Sequence, residues 1–100
     1  MDAIPQDKIQ SAAQGLRAVA HELRLNILCH LLKGPMCVGE LMEVTGAGQS
    51  NLSQHLSKMR LIGILASEKR GQQVFYYIDN PRWKQVIEAL QLIYCPEQCR

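Results

Sequence analysis

QSNLSQHLSKMR, residues 49–60, decides how the rest of the chain is read. At 100° per residue Leu52, Leu56 and Met59 fall within about 60° of one another, a stripe suited to one buried helix face. The opposite arc carries Ser50, Asn51, Ser53, Gln54, Ser57 and Lys58, and the segment holds no carboxylate. A helix built only to face solvent mixes Glu with Lys. Hydroxyls and amides are instead the groups that bond base edges and phosphate oxygens, and Asn or Gln can grip adenine through two hydrogen bonds. Base contacts concentrate near the N-terminus of such a helix, so Gln49, Ser50, Asn51, Ser53 and Gln54 form the expected contact set. His55 joins it from the border of the apolar stripe, a place that suits a packed core histidine as well as a phosphate donor.

On its N-terminal side, residues 38–44 (VGELMEV) read as a short helix, and Thr45-Gly46-Ala47-Gly48 as the turn that joins it to residues 49–60. Short helix, Gly-containing turn and polar helix make a helix-turn-helix. After Gly63 the period changes. Residues 64–69 and 73–78 are strand-like, the second rich in aromatic and β-branched residues, with Lys69-Arg70-Gly71-Gln72 as the hairpin tip. A basic hairpin directly after a helix-turn-helix is a wing, and Arg70 at its tip suits a minor-groove or phosphate contact. Upstream, the apolar spacing predicts helices over 7–20 and 21–33, the second ended by Gly34-Pro35. Downstream, Asp79-Asn80-Pro81 starts a last helix over 82–95 that Pro96 stops. Trp83, Val86, Ile87, Leu90 and Ile93 give it an apolar seam with few other elements left to cover it. The expected fold is mostly α with a β-hairpin wing (α+β), in the order α-α-α-α-β-β-α, as one winged helix-turn-helix unit over residues 1–100.

Charge and composition agree. The 100 residues carry a net charge of only +2. Residues 44–78, however, hold Lys58, Arg60, Lys69 and Arg70 against Glu68 alone, a local excess that suits a polyanion. A hydrophobic content of 47% with 20% charged residues excludes a disordered chain. No apolar run approaches the ~20 residues that span a bilayer, and the first residues lack the pattern of a secretory signal, so no membrane partner and a cytoplasmic location are expected.

Cys29, Cys37, Cys95 and Cys99 are the four cysteines, and none forms a Cys-x-x-Cys pair. In a cytoplasmic chain this number points to metal binding or redox chemistry, or to small buried hydrophobes. On the 21–33 helix Cys29 falls at the edge of the apolar arc, with His30 and Lys33 near enough to favour the thiolate. Cys95 sits at a helix end.

The stretches LRAVAHELRLNILCHLL (16–32), VGEL (38–41), QSNLSQHLSKMRLIGIL (49–65) and VFYYI (74–78) resemble the ArsR/SmtB family of bacterial winged-helix repressors, and the resemblance spans nearly the whole chain. It implies a homodimer that binds an inverted-repeat double-stranded DNA operator, with the first and last helices building the interface, and that releases the operator when an inducer arrives. The family's Cys-Val-Cys metal pattern is replaced by Cys37-Val38-Gly39, so the second thiolate is missing. Its zinc pattern on the last helix needs histidines, and residues 79–95 have none, offering only Asp79 and Glu88. Cys29 within ILCHLL (27–32) and Cys95 within LIYC (92–95) are similar to the cysteine pair of the HlyU/BigR/SqrR branch, which implies sensing of persulfides or oxidants without a cofactor. The alternative inducer is arsenite or another thiophilic metal, held by Cys95 and Cys99 with Cys29 or Cys37. A thiol enzyme is the remote alternative: His30 points about 100° away from Cys29 on the helix, a poor place for its base.

Overall fold

The computed structural model describes residues 2–95, and its helices end where local chemistry says they should. α1 (Gln6–Val19) begins after Pro5, whose carbonyl accepts from Lys8 and Ile9 N–H. α2 (Glu22–Leu31) is capped by the His21 side chain, which accepts from Leu23 N–H at 3.2 Å. It ends two residues before the expected Lys33, because the chain already turns toward Gly34 at φ 145°.

β1 (Met36–Cys37) then pairs antiparallel with the wing, Met36 opposite Tyr76 and Cys37 opposite Phe75. The sequence reading has no such strand, since two residues carry no period and exist as a strand only through their partner. α3 (Val38–Thr45) follows at once. Its N-cap is Cys37, whose N–H donates to Glu40 Oε1 at 3.1 Å in a capping box.

Gly46 closes α3 in the left-handed region at φ 76°, and Thr45 Oγ1 braces the turn, donating to the Leu41 carbonyl at 2.6 Å and accepting from Ala47 N–H at 3.2 Å. α4 (Gln49–Ile62) runs two residues past the expected 60 and is closed, as expected, by Gly63. Here Ile64 N–H donates to the Met59 carbonyl at 3.0 Å and Gly63 N–H to that of Arg60 at 3.1 Å, a Schellman motif whose apolar contact joins the buried Ile64 and Met59. This closure carries the chain from α4 directly into the wing.

β2 (Leu65–Arg70) and β3 (Gln73–Ile78) pair antiparallel from Leu65–Ile78 to Arg70–Gln73, giving the sheet order β1-β3-β2. The tip is shorter than the four residues expected. Only Gly71 and Gln72 lie outside the strands, and Gly71 takes the positive φ of 63° that such a two-residue turn demands. α5 (Pro81–Tyr94) is capped by Asn80 Oδ1, which accepts from Arg82 N–H at 2.9 Å, and Pro81 needs no partner at the first position.

The core is built from Ile27, Leu28 and Leu31 of α2, Leu41 of α3, Leu52, Leu56 and Met59 of α4, and Ile64, Leu65, Ile78 and Ile87 around them. α5 joins it through Ile87 and through Trp83, which lies so close over Gly15 that a Cβ there would stand 2.6 Å from its ring. None of the helices is long and apolar enough to cross a membrane, among the described residues.

Candidate nucleic-acid interface

From Gln49 to Lys58 the α4 face away from the core is polar; the exposed Leu61 interrupts it in the last turn. Gln49, Ser50, Asn51, Gln54, Ser57 and Lys58 are exposed, and Ser53 is half-buried at the margin. Five of the expected contact residues therefore lie within the first two turns of one helix. His55 differs from them. It is half-buried, and its Nδ1 accepts from Arg24 Nε of α2 at 3.0 Å. Burial first, then the neighbouring Arg24, His21 and Lys58, push its pKa below the ordinary 6.5, so the ring sits neutral with its proton on Nε2.

Arg70 ends β2 beside the wing tip. Its Nε donates to Glu68 Oε2 at 2.7 Å, and its guanidinium lies 4.8 Å from the Phe75 ring centroid. Residues 68 and 70 share one strand face, and Phe75 faces Glu68 across the pair, so the three meet by strand geometry. With both partners about half exposed this ion pair adds little stability, but it orients the guanidinium. Between wing and reading helix lies an open groove lined by Gln49, Gln72, Gln73, Val74 and Tyr76 and by Cys37 at the start of α3. Gln72 and Gln73 are amide donors that the sequence reading passed over. Their position at a hairpin tip beside Arg70 was the available signal.

The thiols fall in distinct settings. Cys29 is half-buried on α2 against the core, and Cys95 is exposed as the C-cap of α5, the helix that packs on α2. Cys37 is buried and spends its backbone N–H on the α3 cap. His30 Nδ1 lies 2.9 Å from the Asn26 carbonyl, turned to its own helix. Cys99 lies outside the described residues, as does Pro96. Among the described residues no group of three or more His, Cys, Asp or Glu comes together to hold a metal ion.

Elsewhere on the molecule α1 and α5 enclose, with Leu25 of α2, a groove of about 480 Å³ lined by Leu16, Val19 and Ala20 on one side and by Val86, Ala89, Leu90 and Ile93 on the other. Of the predicted α5 seam, Ile87 closes the core and Trp83 covers Gly15, while Val86 and Ile93 stay exposed and Leu90 half so.

Residues 21–67 match the model of the bacterial regulatory protein arsR family. The chain is 39% identical over 92 residues to the HTH-type transcriptional regulator YgaV of Escherichia coli K12, covering 91% of this chain and 93% of that one. It is 44% identical over 80 residues to the transcriptional activator HlyU of Vibrio cholerae, covering 80% and 74%. The solved HlyU structure superposes with a TM-score of 0.86 at 40% identity, covering 91% of this chain and 99% of that one. The transcriptional repressor BigR of Xylella fastidiosa superposes at 0.82 and 33% identity, covering 90% and 92%.

Proposed function

Because this chain belongs to the ArsR family of bacterial transcriptional regulators, we propose that it acts in the cytoplasm as a homodimeric repressor of an inverted-repeat operator, with residues 1–100 as one reading and dimerising unit. The observation that carries the reading is the carboxylate-free outer face of α4, set beside a wing whose Arg70 is already oriented. In this reading Gln49, Ser50, Asn51, Ser53 and Gln54 face base edges in the major groove, and Arg70 meets phosphate or the minor groove. His55 contributes from the flank of α4. The apolar α1–α5 groove supports a second copy as its occupant, which would set two α4 helices one groove repeat apart.

The proposed inducer is a reactive sulfur species or an oxidant. A persulfide on Cys29 or Cys95 is attacked by the other thiolate, and a sulfide or hydrosulfide leaves as the sulfur link forms, the inducer having supplied the oxidised sulfur. What supports this is that Cys29 rides on α2 and Cys95 ends α5, two helices that pack on each other. Tying them shifts α5, and with it the spacing of the reading heads, at a cost in operator affinity on the order of 1–3 kcal/mol or more.

The test is operator binding by reduced, persulfide-treated and Cys29→Ser protein. Treatment releases the wild type and leaves Cys29→Ser bound. Unchanged wild-type affinity after treatment removes the thiol switch and leaves the DNA reading intact.

A further inference from the structure

The middle of α4 is tied to the α1–α2 corner by a side chain that the sequence reading did not select. Arg24 donates from Nε to His55 Nδ1 at 3.0 Å and from Nη1 to the Ala18 carbonyl at 3.4 Å. Ala18 is buried in the last turn of α1, where carbonyls have no partner inside the helix. His21, the cap of α2, packs on His55 with ring centroids 4.6 Å apart and planes inclined by 44°. One guanidinium therefore joins α1, α2 and α4.

Its contact on α4 lies at the border between the core stripe and the outer face. His55 shares a flank with Asn51, one turn before it, while Gln54 and Ser50 point roughly 100–140° further round. Packing of Leu52, Leu56 and Met59 holds α4 against the core but is non-directional, so it tolerates a small roll about the helix axis. A hydrogen bond weakens steeply off its angle and does not.

We propose that Arg24 is a positioning residue for DNA reading: its hydrogen bond to His55 sets the roll of α4, and the hold lasts only while His55 Nδ1 keeps its lone pair. This rests on the reading of α4 as the DNA-contact helix. A proton on Nδ1 turns the acceptor into a donor facing a guanidinium. The groups that face His55 are Arg24 and His21 from α2 and its cap, and Lys58 on its own helix, all basic. The Ala18 carbonyl of α1 is already engaged by Arg24, and α3 and β2, also packed on α4, bring no titratable group that perturbs the ring. Among the described residues no carboxylate is one of the groups that perturb the ring, so none takes up the charge, and protonation parts Arg24 from His55 and frees the helix to roll. A histidine that serves only as a phosphate donor predicts the opposite: protonation adds a cation at the interface, and acid tightens binding.

The experiment titrates a duplex from the region upstream of the chain's own gene at constant salt, at about pH 7.5 and about pH 5.8, values that bracket histidine titration. Melting temperatures of the same samples are recorded. The wild type is expected to bind several-fold more weakly in acid, with about fivefold as the ceiling, because a ring whose pKa lies below 6.5 can lose no more than that by about pH 5.8. In His55→Gln, whose amide oxygen accepts from Arg24 at either pH, the two affinities agree within about twofold. Arg24→Met is weakened at both pH values, with no acid loss beyond it and with a melting temperature above that of the assay. If Arg24→Met does not fold, His55→Gln decides alone. Binding by the wild type that tightens or stays constant in acid overturns the proposal, as does an unchanged acid loss in His55→Gln. No binding by any chain at the higher pH sinks the DNA reading and this proposal with it; binding there without the acid loss sinks this proposal only.

Discussion

α4 and α5 are each fourteen residues long, and they end in opposite conditions. α4 buries Leu52, Leu56 and Met59 completely and turns amides, hydroxyls and Lys58 outward. α5 buries only Ile87 completely and leaves Val86, Leu92, Ile93 and Tyr94 open. Apart from Leu61 and Ile62 in its last turn, the first helix has spent its apolar surface on its own chain, and over residues 49–58 it offers a polar face that suits a polyanion. The second still holds apolar surface in water, which favours contact with another apolar surface. This contrast supports the two partners proposed above, a duplex at α4 and a second copy at α5.

The largest effect is expected at α5. Ile93→Glu sets a charge on the open α1–α5 groove. It is expected to give a monomer by sedimentation and, by loss of the second reading head, an operator affinity lower by on the order of 10²–10⁴-fold. Leu56→Ala attacks the opposite end, where nothing but the chain's own core is involved. Urea unfolding is expected to show a loss of about 2–5 kcal/mol. Gly15→Ala tests the seam between the two regimes: a methyl 2.6 Å from the Trp83 ring must displace that ring or part α5 from α1, costing about 1–3 kcal/mol, with a change in Trp83 fluorescence.

Two smaller effects sharpen the picture of α4 and the wing. Gln54→Ala should cost about 1–3 kcal/mol on the best operator and relax sequence preference, whereas Arg70→Ala should weaken all sequences alike and lower the salt slope by about 1. The smallest effect is on stability against pH. Burial and the neighbouring cations hold the folded His55 pKa below its unfolded value of 6.5. On acidification the unfolded chain therefore takes up the proton first, and stability falls as pH drops through about 6.5, levelling once the folded ring also titrates. Thermal melts from neutral to mildly acidic pH should show this slope in the wild type and its absence in His55→Gln.

The helix-turn-helix and the wing were legible because their signals are local. The Leu52/Leu56/Met59 stripe, Gly46 and Gly63 at the helix ends, and the Gly71 turn each depend on residues within a few positions of one another. β1 was not legible, because Met36 and Cys37 become a strand only opposite Tyr76 and Phe75. The Arg24–His55 contact was hidden for the same reason: it joins residues 31 apart in the chain, and neither carries a mark of the other. The α5 seam was half legible. Its apolar spacing was plain, but periodicity cannot say that Trp83 lies on Gly15 while Ile93 meets solvent.

By itself the order of residues settled which segments coil, which pair as a hairpin, and that one helix carries a face of amides and hydroxyls with no acid. These follow from side-chain period and turn chemistry, which act over a few bonds. Only the packed chain decided that Arg24 reaches across to His55, that Cys29 and Cys95 lie on helices in contact, and that an apolar groove stays open between α1 and α5. Contacts between distant residues depend on how the elements close on one another, a geometry that no local pattern contains.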